Sequence, residues 1–84
     1  MDNHVFVLRV GKYIRKARKQ CGMTMEEAAF QAGISYETLS RIEWSETDTY
    51  HSTINRLILA LKIDVQDFHA SINDVTNDFD EQLD

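Results

Sequence analysis

The chain has 84 residues, a formal net charge of -5, 43% hydrophobic and 27% charged residues, three glycines, no proline and one cysteine. This length suits a single domain with an economical core, because a chain this short buries only about 60% of the surface its unfolded form exposes. One cysteine excludes an internal disulfide, and no apolar run approaches the roughly 18 residues of a membrane span; a cytoplasmic protein is expected, since Val5 to Leu8 follow Asp2 with no basic leader.

In chain order, residues 1–8 read as an N-terminal extension, 9–69 as one helical domain and 70–84 as an acidic tail. Residues 1–70 hold nine basic and nine acidic side chains, so the net charge comes from Asp74, Asp78, Asp80, Glu81 and Asp84. Val10, Ile14, Ala17 and Cys21 recur at helical spacing and mark a first helix, with Gly22 as a left-handed cap and Cys21 as a small buried group. Along this helix Arg9, Lys12, Arg15, Lys16, Arg18 and Lys19 form a basic cluster. Two readings of it stand, a surface for a polyanion and a solvated helix face.

Thr24 stands three residues before Glu27, a capping-box spacing, and opens a second helix from about Met25 to Ala32 with Met25, Ala28, Ala29 and Ala32 inward. Gly33 can take positive φ at little cost and reverse the chain. Ser35 caps a third helix whose apolar positions are Leu39 and Ile42, with Ile34 as a staple before the cap. The segment "SETDTYHS" supplies caps and loop residues. Ile54, Leu57, Ile58 and Leu61 mark a fourth helix, and Val65, Phe68 and Ile72 a short fifth one capped by Asp64. The expected fold is all-α, a compact five-helix bundle with a possible short sixth helix.

Ala29, Gly33, Ile34, Leu39 and Ile42 are spaced as in the Cro and C1 repressor type of helix-turn-helix domain, often called Xre-like, which the chain resembles over about residues 9–68. "IRKARKQCGMT", "RIE" and "LILALKIDVQDF" resemble the family's flanking segments. The resemblance implies a lambda-repressor-like domain whose third helix, about residues 35–44, lies in the major groove. It further implies that Arg18 pairs with Glu43. The spacing agrees, since Arg18 lies four residues from Ile14 beside the buried stripe, where an unpaired charge is costly. Two departures concern phosphate contacts. Met25 stands where the family usually has Gln and offers only its backbone amide beside Thr24. Trp44, Ser45, Glu46 and Asp48 replace the common Asn-Gly and basic residues, which argues for weak or partner-dependent DNA binding.

On the third helix, Arg41 can donate to guanine O6 and N7, Glu37 can accept from cytosine N4, and Tyr36 can pack on a thymine methyl or bond to a phosphate, with Ser35 and Ser40 adaptable. Alternatively Glu37 and Arg41, four residues apart, pair with each other. Trp44 is either a phosphate contact or a packing residue. His4, His51 and His69 are widely separated, and no His-x-x-x-His or Cys-x-x-Cys spacing or glycine-rich phosphate loop occurs, so neither catalysis, cofactor nor metal is expected. The paired carboxylates Glu26 and Glu27 sit where a helix dipole favours acids.

The expected function is a sequence-specific transcriptional regulator binding double-stranded DNA as a homodimer. The alternative is a protein-interaction module of the same fold, an antirepressor or adaptor with little DNA affinity. Ile72, Val75, Phe79 and Leu83 give residues 70–83 an apolar stripe on poor helix formers. That tail either docks, supplying dimer contacts, or stays free and competes with DNA for the basic cluster.

Overall fold

The computed structural model describes residues 4–46 and 50–73. Five helices follow one another: α1 (His4–Gln20), α2 (Met25–Ala32), α3 (Tyr36–Glu43), α4 (His51–Ala60) and α5 (Val65–Asn73). No strand occurs among the described residues, and the fold is all-α as the periodicity indicates. α3 packs against both α1 and α2, while α5 lies on α1 and α4 on α2, so α3 joins the two halves of the bundle.

The core is a single cluster drawn from all five helices. Val10, Ile14 and Ala17 of α1 meet Ala28, Ala29 and Ala32 of α2, Leu39 and Ile42 of α3, Leu57 and Leu61 around α4, and Phe68 and Ile72 of α5. The three alanines let neighbouring helices approach α2 closely; Met25 and Ile34 pack at the edge of the cluster. Burying this apolar surface is what makes such short helices stable, since segments of eight residues are marginal alone.

Helix ends are fixed locally. The Thr24 hydroxyl accepts from the Glu27 amide at 3.1 Å and the Glu27 carboxylate accepts from the Thr24 amide at 2.9 Å, completing the capping box. That backbone hydrogen bond, and then the side-chain one, hold the Glu27 carboxyl below its ordinary pKa. Ser35 accepts from the Thr38 amide at 3.0 Å, and Asp64 accepts from the Gln66 amide at 2.9 Å. Gly33 ends α2 with φ 69°, and the amides of Gly33 and Ile34 return to the carbonyls of Phe30 and Ala29. Ser45 and Lys62 adopt the same left-handed conformation after α3 and α4, with φ of 59° and 54°.

Several expectations change. Cys21 is exposed, because α1 ends at Gln20 and the cysteine belongs to the turn; its Sγ lies 3.3 Å from the Leu61 carbonyl. α1 begins at His4, so residues 4–8 continue the helix, and α5 runs to Asn73, beyond position 69. Val65 is exposed whereas Phe68 and Ile72 are buried. The cap of α4 is Tyr50, which makes no side-chain capping bond. Residues 74–84, and with them most of the amphipathic tail, lie outside the described residues, as do 47–49 within the acidic loop.

Candidate nucleic-acid interface

The α3 helix has one face fixed and one face open. Leu39 and Ile42 are 0% and 1% exposed, and Glu43 beside them is buried. A buried carboxylate requires a partner. Arg18 Nε donates to Glu43 Oε2 at 2.7 Å and Nη2 to Oε1 at 3.1 Å, while Nη1 donates to the Met23 carbonyl at 2.9 Å. One guanidinium thereby ties the end of α3 to α1 and to the segment leading into α2. No buried side-chain nitrogen or oxygen among the described residues lacks a hydrogen-bond partner.

Gly11 is a second tie that the sequence reading missed. A Cβ placed there would lie 2.4 Å from the Ile42 carbonyl oxygen, 2.8 Å from Ser45 Oγ and 3.2 Å from the Glu43 carbonyl oxygen. Only glycine lets α1 come so close to the last turn of α3. A lone glycine inside an otherwise periodic helix was the available signal. Ser45 Oγ, at the left-handed position after α3, also donates to the Val7 carbonyl at 3.5 Å.

The turn between α2 and α3 is braced from outside. Arg56 of α4 donates to the Gly33 carbonyl at 3.2 Å, meeting the carbonyl end of α2 with a cation, which the helix dipole favours.

The open face presents Tyr36, Glu37 and Arg41, all exposed, with Ser40 half-buried between them. Arg41 Nη2 donates to Glu37 Oε2 at 3.3 Å, an exposed i,i+4 pair. Such pairs contribute only about 0.3–0.5 kcal/mol, so either group is readily released to another partner. Ser35 is engaged as the cap, its hydroxyl donating to Thr38 Oγ1 at 2.8 Å. Thr24 and the Met25 amide lie at the start of α2, Thr24 exposed and engaged in its capping box.

Trp44 follows α3 and is 57% exposed, so it is not a core residue. The Arg15 guanidinium carbon sits 4.7 Å from the centre of its ring, a cation–π contact between α1 and the end of α3. The basic cluster is thus divided among tasks. Arg18 serves Glu43, Arg9 donates to the Ile72 carbonyl at 2.6 Å, and Arg15 lies over Trp44. Lys12, Lys16 and Lys19 are exposed.

Among the described residues no group of three His, Cys, Asp or Glu is placed to hold a metal ion, and no helix is long and apolar enough to cross a membrane. Compared with known protein families, residues 14–68 match the helix-turn-helix model, a span that runs from within α1 to the first turn of α5 and contains α2, the Gly33 turn and α3. A search of curated proteins returned no match.

Proposed function

Since the chain belongs to the Cro/C1-type helix-turn-helix family of DNA-binding regulators, we propose that it is a sequence-specific transcriptional regulator that reads the major groove with α3. The observation that carries this reading is the division of α3. Its inner face and last turn are locked by Leu39, Ile42, Gly11 and the Arg18–Glu43 pair, while Tyr36, Glu37 and Arg41 project outward. A rigid helix with an open polar face suits a groove about 12 Å wide in which each base pair displays a distinct donor and acceptor pattern.

Arg41 is the base-reading residue for guanine and Glu37 for cytosine, with Tyr36 against a thymine methyl or a phosphate, and Ser35 and Ser40 supplying adaptable hydroxyls. The helix N-terminus at Thr24 and Met25 meets a phosphate through backbone amides. The eight residues of α3 span about 12 Å at about 1.5 Å per residue, which is three to four base pairs at about 3.4 Å each. One such helix specifies too little sequence, so the acting species is a homodimer on two half-sites.

Selection of bound duplexes from a random pool at about 50 mM salt tests the reading. With about four phosphate contacts the affinity of the recovered duplex falls about 10²-fold between 50 and 200 mM salt. Arg41→Ala relaxes preference at one base position and costs about 1–3 kcal/mol on the selected sequence with the fold intact. Failure to enrich any duplex would leave the second reading, an antirepressor or adaptor of the same fold. That reading draws on Glu46 and Asp48 after α3 and on the existing Glu37–Arg41 pair.

A further inference from the structure

We infer that Arg15, held by Trp44, forms a phosphate-binding site at the C-terminal end of α3; this rests on the DNA-binding reading above. The carbonyl end of a helix carries a partial negative charge, and Glu46 stands just beyond it. A helix that enters the groove by its N-terminal residues brings its other end towards the groove wall, where the phosphates are. Anionic protein would then face anionic DNA, and a cation has to intervene.

Three arginines, Arg15, Arg18 and Arg41, are placed at that end, and two of them are occupied. Arg18 makes two hydrogen bonds to Glu43 and a third to the Met23 carbonyl. Arg41 belongs to the outer face and pairs with Glu37. Arg15 is different, because it has a ring beneath it and, among the described residues, no carboxylate partner. A guanidinium over an aromatic face keeps its full charge and leaves its N–H edge available, while the stack limits the orientations it samples. Trp44, more than half exposed, is therefore a positioning residue for Arg15.

The backbone fixes both partners. Gly11, Arg15 and Arg18 recur at intervals of four and three along one side of α1, and all three meet the end of α3: by close approach, by ring contact and by ion pair. The site therefore joins two helices whose separation is already set. Its ligand is a backbone phosphate of duplex DNA, a contact that adds affinity without reading sequence.

The test uses the full chain and random-sequence duplexes of about 20 base pairs, titrated at several salt concentrations. Loss of one phosphate contact reduces the slope of log affinity against log salt by about 0.9, which is about 15-fold at 50 mM and about 4-fold at 200 mM salt relative to 1 M. Arg15→Gln is expected to show these losses for all sequences alike, and Arg15→Lys to retain the slope. Trp44→Leu weakens binding, and the double variant Arg15→Gln with Trp44→Leu binds no more weakly than Arg15→Gln alone. Trp44 is the only tryptophan, so its emission reports duplex binding directly. Thermal melts of each variant verify folding. An unchanged slope for Arg15→Gln, additive losses in the double variant, or unaltered Trp44 emission on binding overturns the site while leaving the regulator reading standing. Absence of any duplex binding by the parent chain overturns both.

Discussion

Replacing Gly11 with alanine tests the fit of α1 against α3 through the sign of its effect. In an ordinary helix interior this change stabilises by about 1 kcal/mol, because alanine restricts the unfolded chain and favours helix. Here the new methyl meets the Ile42 carbonyl oxygen at 2.4 Å, and ordinary contact begins near 3.4 Å. α1 must withdraw by about 1 Å, since a packed interior has no slack to absorb the overlap. Overpacking of this kind costs about 1–3 kcal/mol. The same movement stretches the Arg18–Glu43 hydrogen bonds, now 2.7 and 3.1 Å, towards the limit of useful geometry. With Glu43 buried, losing that pair outright costs about 3–5 kcal/mol, so a partial loss adds to the overlap and outweighs the helical gain. The expected net loss is about 2–4 kcal/mol. For a domain of this size that lowers the melting temperature by about 10–25 °C, measured by circular dichroism. An unchanged or raised melting temperature for Gly11→Ala would refute the close approach of the two helices.

Arg18→Ala leaves Glu43 buried without its cation and is expected to lower stability by about 3–5 kcal/mol in urea titration, whereas replacing both residues by apolar ones of similar volume restores much of it. At Lys62, which is exposed with φ 54°, glycine removes a left-handed strain and raises stability by about 1 kcal/mol, read as a higher urea midpoint at unchanged slope. Tyr13 donates to Asp67 across α1 and α5, and burial followed by that hydrogen bond holds the phenol above its ordinary pKa of 10.0. A folded-state pKa raised above the unfolded one gives stability present below pH 10 and lost above it as the unfolded phenol ionises. Melts between pH 8 and 11 are expected to show this alkaline loss in the parent and its disappearance in Tyr13→Phe.

Much of the motif was legible because its signals are local. Thr24 and Glu27 specify a helix start by hydrogen bonds three residues apart, and Gly33 specifies a reversal by its own backbone freedom. The match of Arg18 to Glu43 came from family resemblance, supported by the position of Arg18 beside a buried stripe. What escaped was set between elements. Cys21 fits the apolar period of α1 but lies one residue past its end, where the period no longer points inward. Trp44 has a side chain that usually packs, yet only the placement of α1 reveals an arginine above its ring. Gly11 has no local turn or cap to explain it, and its reason lies in the carbonyls of α3. At the candidate interface, the outward positions of Tyr36, Glu37 and Arg41 follow from the spacing of Leu39 and Ile42, whereas the division of the basic cluster depends on contacts as distant in sequence as Arg9 and Ile72.

The position of α3 between the two halves of the bundle makes the proposed reading surface inseparable from the whole fold. Eight residues cannot hold a helix in water, and this one draws its support from α1 on one side and α2 on the other. Local opening of either half withdraws part of that support, so a partly unfolded chain does not retain α3 as an ordered helix. The element that would meet DNA therefore has no stability of its own to spare, and at any temperature the competent fraction of the protein is its folded fraction.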